Sequence, residues 1–242
     1  MIDIHSHIVY GLDDGAKTIE ESVEIARRAC QNGIKVMIAT PHFRELYSYK
    51  DTEYESNFIR LTERLSAEKI NLKLLPGNEA YLDENLLDSL NNGKCKTMAG
   101  SSYVLIEISY GASMHMVKNM LFAIMLQGYR PIIAHGERLV QRRKDMHFVK
   151  ELNAMGCLIQ MNGDALFGFG RPWKKHWLWK SLRDNIFNFV ASDTHDLLKR
   201  APMLKKAYKR VKKKLGKEMA DNLFIRNQLS VIKNEKMSWQ SE

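Results

Sequence analysis

Apolar residues gather in seven short runs along the chain: MIDI (1–4), KVMIA (35–39), LKLL (72–75), YVLIEI (103–108), PIIAH (131–135), CLIQMN (157–162) and FNFVAS (187–192). Their length and β-branched content predict strands. The segments between them carry apolar residues at helical spacing. TIEESVEIARRACQNG reads as a helix with a capping box from Thr18 to Glu21 and a stop at Gly33. Tyr54, Phe58, Leu61 and Leu65 mark one buried stripe, and Met116, Met120, Ala123 and Ile124 mark another before Gly128. Strand and helix alternating from end to end predict parallel strands with helical crossovers.

That pattern fits an open doubly wound sheet or a closed barrel, and the polar residues at the strand ends favour the barrel. His5 and His7, His42, Glu79, Glu107, His135, Asn162, Asp193 and His195 all lie at or just beyond the C-terminal ends of the runs. A barrel brings such ends together at one mouth, whereas an open sheet spreads them along a crevice. The expectation is a (β/α) barrel of about seven strands, with residues 1–242 as one domain. No repeat, linker or low-complexity segment marks a second.

Composition is ordinary for a globular chain with a sizeable core, at 45% hydrophobic and 27% charged. No apolar run is long enough to span a bilayer, and the acid at Asp3 does not suit a secretory signal. A cytoplasmic protein is expected. Cys30, Cys95 and Cys157 are odd in number and widely spaced, which suits reduced, packed thiols. The net charge of +9 concentrates in KRAPMLKKAYKRVKKKLGK (199–217). There Leu204, Ala207, Tyr208, Val211 and Leu215 fall at helical spacing, so the lysines form first of all the wet face of an amphipathic helix. An acidic partner or a membrane surface would be attracted to that face.

The histidines change the picture. Side chains two apart on a strand share a face, so His5 and His7 can grip one ion together. Five of the eight histidines stand at strand ends; His115, His147 and His176 lie in helical stretches and look incidental. Glu107 places a carboxylate in an apolar strand, a cost that a cation, whether a metal or an arginine or lysine, would remove. Five imidazoles and four carboxylates (Asp14, Glu79, Glu107 and Asp193) exceed what one zinc ion needs. They suit two or three divalent ions such as manganese, iron or zinc. Three such ions leave a charge of about +2, which favours an anionic substrate, phosphate esters above all.

The motifs MIDIHSHIVYGLDDGA, ATPHF, GNEAY, LIEIS, AHGER and SDTH, in this order, resemble the polymerase and histidinol phosphatase (PHP) superfamily. Within it the chain resembles the bacterial manganese-dependent tyrosine-protein phosphatases of capsular and exopolysaccharide synthesis. The resemblance implies a distorted (β/α)7 barrel of the PHP, TIM-like type around a three-metal cluster. It implies that His5, His7, Glu79 and Asp193 hold one ion, Glu79, Glu107 and His135 a second, and Asp14, His42 and His195 a third. By the same resemblance Asp14 rather than Asp13 is the ligand of the DDG motif, and Arg138 and Arg200 contact phosphate, to which a guanidinium fork is matched. Manganese is the implied metal.

The implied activity is hydrolysis of phosphotyrosine on a bacterial tyrosine kinase that regulates polysaccharide synthesis. The implied partner is that phosphorylated kinase, with peripheral contact to its membrane-associated complex. A basic helix face bearing Lys205, Lys206, Lys209 and Lys213 could steer an acidic tail. The alternative readings are a small-molecule phosphatase of the histidinol phosphate kind, a nuclease and a catalytically silent kinase-binding module. Nothing resembles a base-stacking platform, so no nucleic-acid partner is expected. The cysteine phosphatase loop is absent: the sixth residue after each cysteine is Val36, Ser101 or Gly163, never arginine.

Overall fold

In the computed structural model, which describes residues 1–44, 49–168 and 171–237, each of the seven runs forms a strand. They are β1 (Ile2–Asp3), β2 (Val36–Ala39), β4 (Lys73–Pro76), β6 (Tyr103–Glu107), β7 (Arg130–Ile133), β8 (Leu158–Asn162) and β9 (Phe189–Ala191). Two short strands extend this set, β3 (His42–Phe43) and β5 (Glu79–Tyr81). Val36 pairs with Lys73 and His42 with Glu79, the same sequence offset, so β3 and β5 prolong β2 and β4 after a brief interruption. All pairings are parallel, in the order β1-β2-β4 and β3-β5-β6-β7-β8-β9. The ring is completed by a parallel bridge between Ser6 and Thr194, where the Asp193 amide donates to His5 O at 3.0 Å and the His7 amide to Thr194 O at 2.8 Å. The result is a distorted barrel, as expected.

Parallel strands flanked by crossover helices bury both faces, and Val104, Leu105 and Ile106 are fully buried in succession. Alternation then sorts side chains between two cores. Val104, Ile106, Ile133 and Ile159 face the helices, while Tyr103, Leu105, Ile132, Leu158 and Phe189 fill the barrel. The interior at the strands' N-terminal end is plugged by Met98, Val231 and Met237. Leu105, Ile132, Leu158 and Phe189 thus form the floor, and the next inward positions toward the C-terminal ends, Glu107, Gln160, Asn162 and Asp193, are polar.

The crossovers are α1 (Ile19–Gln31), α2 (Asp51–Ala67), α3 (Leu86–Asn91), α4 (Met114–Leu126), α5 (Asp145–Ala154) and α6 (Pro172–Arg183). After β9 come α7 (Leu204–Leu215), α8 (Lys217–Asp221), a wide turn over Asn222–Arg226 and α9 (Asn227–Ile232). Thr18 caps α1 by accepting from the Glu21 amide, while the Glu21 carboxylate takes the Lys17 amide, one residue earlier than a strict capping box. The α2 stripe holds, with Tyr54, Leu61 and Leu65 buried. The α4 stripe holds only in part: Ile124 is buried and Met120 half-buried against the core, but Val117 and Leu121 are buried with them and Met116 is 62% exposed. MHMVKNMLFAIML is apolar almost all round, so periodicity could not select its register. Cys95 and Cys157 are buried, Cys30 is half-buried, and all three are free. No described helix is long and apolar enough to cross a membrane.

Candidate metal centre

The barrel mouth gathers residues from every strand. His5 and His7 follow β1, and their Nε2 atoms lie 3.3 Å apart. Each Nε2 is 3.2 Å from Glu79 Oε2, and they are 3.2 and 3.5 Å from Asp193 Oδ1. Around Glu79, His135 Nε2 approaches Oε1 at 2.8 Å and His42 Nδ1 approaches Oε2 at 3.0 Å. Glu107 Oε1 is 3.7 Å from His135 Nε2, and its Oε2 is 3.7 Å from Arg44 Nη1. On the other side, Asp14 Oδ1 lies 3.3 Å from His195 Nε2 and 3.5 Å from His42 Nε2.

Three groups of donor atoms therefore converge closely enough to hold ions: His5, His7, Glu79 and Asp193; His42, Glu79 and Glu107; and His7, Asp14, His42 and His195. The sequence-derived set is brought together at one mouth, with two shifts of detail. His7 stands with the third group as well as the first, and His42 rather than His135 completes the tight triad with Glu79 and Glu107. Glu107 is less enclosed than its strand suggested, 20% exposed at the rim, with both imidazoles and Arg44 near it. His115, His147 and His176 are exposed and outside the site.

Local backbone and packing explain this convergence. On β7, strict alternation would turn His135 outward with Ile133. The chain instead turns left-handed at His135, with φ 33°, and Asp193 at φ 54° does likewise. Such backbones cost non-glycine residues about 1 kcal/mol or more and recur at functional sites. Two glycines permit close approach. A Cβ on Gly15 would sit 2.2 Å from His7 O, and one on Gly136 would sit 2.4 Å from an Ile159 methyl.

Gln160, which the sequence did not single out, and Asn162 and Asp13, to which it gave no such role, hold the donors in place. Gln160 Oε1 accepts from His5 Nδ1 at 3.1 Å and from the His135 amide at 2.7 Å. Its Nε2 donates to Asn162, whose Nδ2 donates to Asp193 Oδ2 at 2.8 Å. Asp13 Oδ2 accepts from His7 Nδ1 at 2.6 Å and the His42 amide at 2.8 Å; its Oδ1 takes the Gly15 amide. His195 Nδ1 donates to Asp193 O. In each pairing one ring nitrogen is engaged, leaving Nε2 of His5, His7 and His195 to face the centre. The sequence signal for Gln160 was a polar residue on the inward face of a fully buried strand, two positions before Asn162.

Electrostatics match a site built for cations. Burial alone would raise the carboxyls of Glu79 and Asp193, yet the facing imidazoles hold both well below the usual range. Burial opposes charge on His5 and His7 as well, but Glu79 and Asp193 raise the first, and Asp13 chiefly raises the second. Hydrogen bonding to His195 pulls Asp14 down. Buried oxygens of Glu79 (Oε2) and Asp193 (Oδ1) have imidazole nitrogens 3.0–3.6 Å away but make no well-aligned hydrogen bond, and Glu107 Oε2 makes none either. Such atoms are expensive when buried and oriented inward together, and divalent ions are the partners that fit them. Arg138 and Arg200 project over this floor, their Nη2 atoms donating to Asp193 Oδ2 at 2.6 and 2.8 Å. Both guanidiniums remain partly open to solvent.

A parallel barrel whose C-terminal mouth carries a multi-ligand histidine and carboxylate centre with two arginines above it defines the class: a metal-centre hydrolase scaffold of the PHP type. The sequence profile described as "Capsular polysaccharide synthesis, CpsB/CapC" matches residues 1–233, and the chain belongs to this family. It is 33% identical over 240 residues to the tyrosine-protein phosphatase CpsB of Streptococcus agalactiae serotype III (strain NEM316), covering 97% of this chain and 99% of that one. It is 32% identical to the tyrosine-protein phosphatase YwqE of Bacillus subtilis (strain 168), over 94% and 92% of the two chains. A crystal structure described with "YwqE from Bacillus subtilis and CpsB from Streptococcus pneumoniae, unique metal-dependent tyrosine phosphatases" matches with a TM-score of 0.90. That match is at 30% identity and covers 98% of this chain and 96% of the other.

Proposed function

We propose that this chain is a metal-dependent protein-tyrosine phosphatase serving capsular or exopolysaccharide synthesis, with a phosphorylated bacterial tyrosine kinase as its partner. The observation that carries the reading is the convergence of carboxylate oxygens and imidazole nitrogens into ion-sized groups beneath Arg138 and Arg200. Manganese is the proposed metal, since mixed imidazole and carboxylate donors suit it, with iron or zinc as substitutes. Bound ions would lower the pKa of a water molecule and neutralise charge on the phosphoryl oxygens.

The protein's own residues do the rest. Arg138 and Arg200 present guanidinium edges to phosphate oxygens above the floor, and their hold on Asp193 Oδ2 fixes their position. Asn162 Nδ2 adds a third donor to that oxygen, which leaves Asp193 Oδ1 facing the centre. Asp13 and Gln160 fix the rings of His7 and His5. A thiol mechanism is disfavoured, because burial pushes Cys95 and Cys157 up to about 12, leaving no thiolate at neutral pH.

The test is an assay of purified protein with manganese on a phosphotyrosine peptide, a phosphoserine peptide, histidinol phosphate and single-stranded DNA. The expected result is preferential hydrolysis of the phosphotyrosine peptide; preference for histidinol phosphate would replace the reading with a small-molecule phosphatase.

A further inference from the structure

Beside the metal centre lies a hollow of about 200 Å³ whose wall includes Arg138, Asp193 and Arg200 on one side and Phe167, Met203 and Lys206 on the other. Through Phe167, covered by Arg210, it adjoins the face of α7 that meets α6 at Trp179. From Lys206 the same face of α7 continues through Arg210 and Lys214, at i+4 and i+8. The Arg210 guanidinium stacks on Phe167 at 4.9 Å, and the Lys214 ammonium sits 4.2 Å over Trp179 of α6. A second hollow of about 300 Å³ follows there, bordered by Lys175, Lys180 and Arg183 as well as Lys214. Asp193, held by the two arginines, and Asp164 in the first hollow, with Asp184, paired with Lys180, are the carboxylates along this path among the described residues. Lys214 stays exposed, but desolvation of its head and the neighbouring Lys175, Arg210 and Arg183 lower its pKa, a sign of crowded positive charge.

We propose that this groove binds the acidic residues flanking the phosphotyrosine of the protein substrate, making the enzyme selective for phosphotyrosine in an acidic sequence. The inference rests on the phosphotyrosine reading above. Its geometry supplies the register. Lys206 to Lys214 spans about 12 Å at the helical rise, the length of about four extended peptide residues. The path begins at the two arginines, so a peptide anchored there by its phosphate meets these cations next. Aromatic floors under Arg210 and Lys214 hold the charged heads in place and limit the entropy lost on pairing. A flat anionic bilayer would instead meet other exposed lysines of α7, among them Lys205, Lys209 and Lys213, which line neither hollow.

Two phosphotyrosine peptides, one with acidic and one with neutral flanks, test the proposal on the full metal-loaded chain. Turnover is measured on both, and affinity is measured by fluorescence anisotropy on their non-hydrolysable difluorophosphonate analogues. The acidic peptide is expected to bind about eightfold more tightly at low salt, about twofold for each of three exposed ion pairs, and to lose that advantage at high salt. Lys206→Gln, Arg210→Gln and Lys214→Gln combined should erase the ratio, Lys206→Arg with Lys214→Arg should keep it, and Lys205→Gln, Lys209→Gln and Lys213→Gln combined should leave it intact. Equal affinity for the two analogues, or a ratio that survives the groove substitutions, would overturn the proposal. Anionic vesicle binding lost with the groove substitutions, without any peptide preference, would overturn it in favour of a membrane. Absence of turnover with the affinity ratio preserved would count against the phosphatase reading alone.

Discussion

At the scale of single residues, the site depends on side chains that touch no substrate as much as on those that would. Asp13 and Asp14 are adjacent, yet the first faces His7 Nδ1 and the second faces His195 and His42 Nε2. Asp14→Asn is expected to empty one metal position outright. Asp13→Asn, which replaces the acceptor that fixes His7, should weaken metal affinity about 10- to 100-fold; metal content after dialysis separates the two. Protonation gives a second check. The facing carboxylates raise the pKa of His5 and His7, and these rings must shed protons before they can ligate. Apparent metal affinity should therefore fall as pH drops through their pKa values, with protons released on loading, as calorimetry in buffers of different ionisation enthalpy would register. Gly136→Ala tests the close contact with Ile159, and overpacking there should cost about 1–3 kcal/mol in a urea titration.

Among the elements, the helices show where patterning alone sufficed. α2 and α7 bury the stripes expected of them because their other faces are charged. In α4 nearly every position is apolar, and which side meets the sheet is decided by tertiary packing. Leu121→Ala is expected to cost about 2–5 kcal/mol as a core truncation, whereas Met116→Ala should stay within about 0.5 kcal/mol. The strand runs were legible because both faces of a parallel sheet are apolar, and their polar ends stood out against that background. The left-handed turn at His135 was not legible, since nothing about the residue type announces it. Gln160, and the role of Asn162, were hidden for a related reason. Their importance lies in contacts across strands, to His5, His135 and Asp193, that no spacing within one strand reveals.

On the scale of the whole molecule, the barrel separates stability from chemistry along its axis. Leu105, Ile132, Leu158 and Phe189, plugged by Val231 and Met237, form an apolar floor; above them every strand end contributes a polar group. Residues as distant in sequence as His5 and Asp193 come to 3.2 Å because the first and last strands close the ring. Such a centre works as a unit, and its cations are the condition for its activity. Manganese should restore phosphotyrosine hydrolysis to chelator-stripped protein, in proportion to metal bound per chain, and His5→Ala and Asp193→Ala should bind less metal and hydrolyse little. The most direct test is therefore phosphotyrosine turnover titrated against bound manganese, with metal content measured on the same samples. The account predicts activity that vanishes on chelation and returns with metal; full turnover by metal-free protein would contradict it.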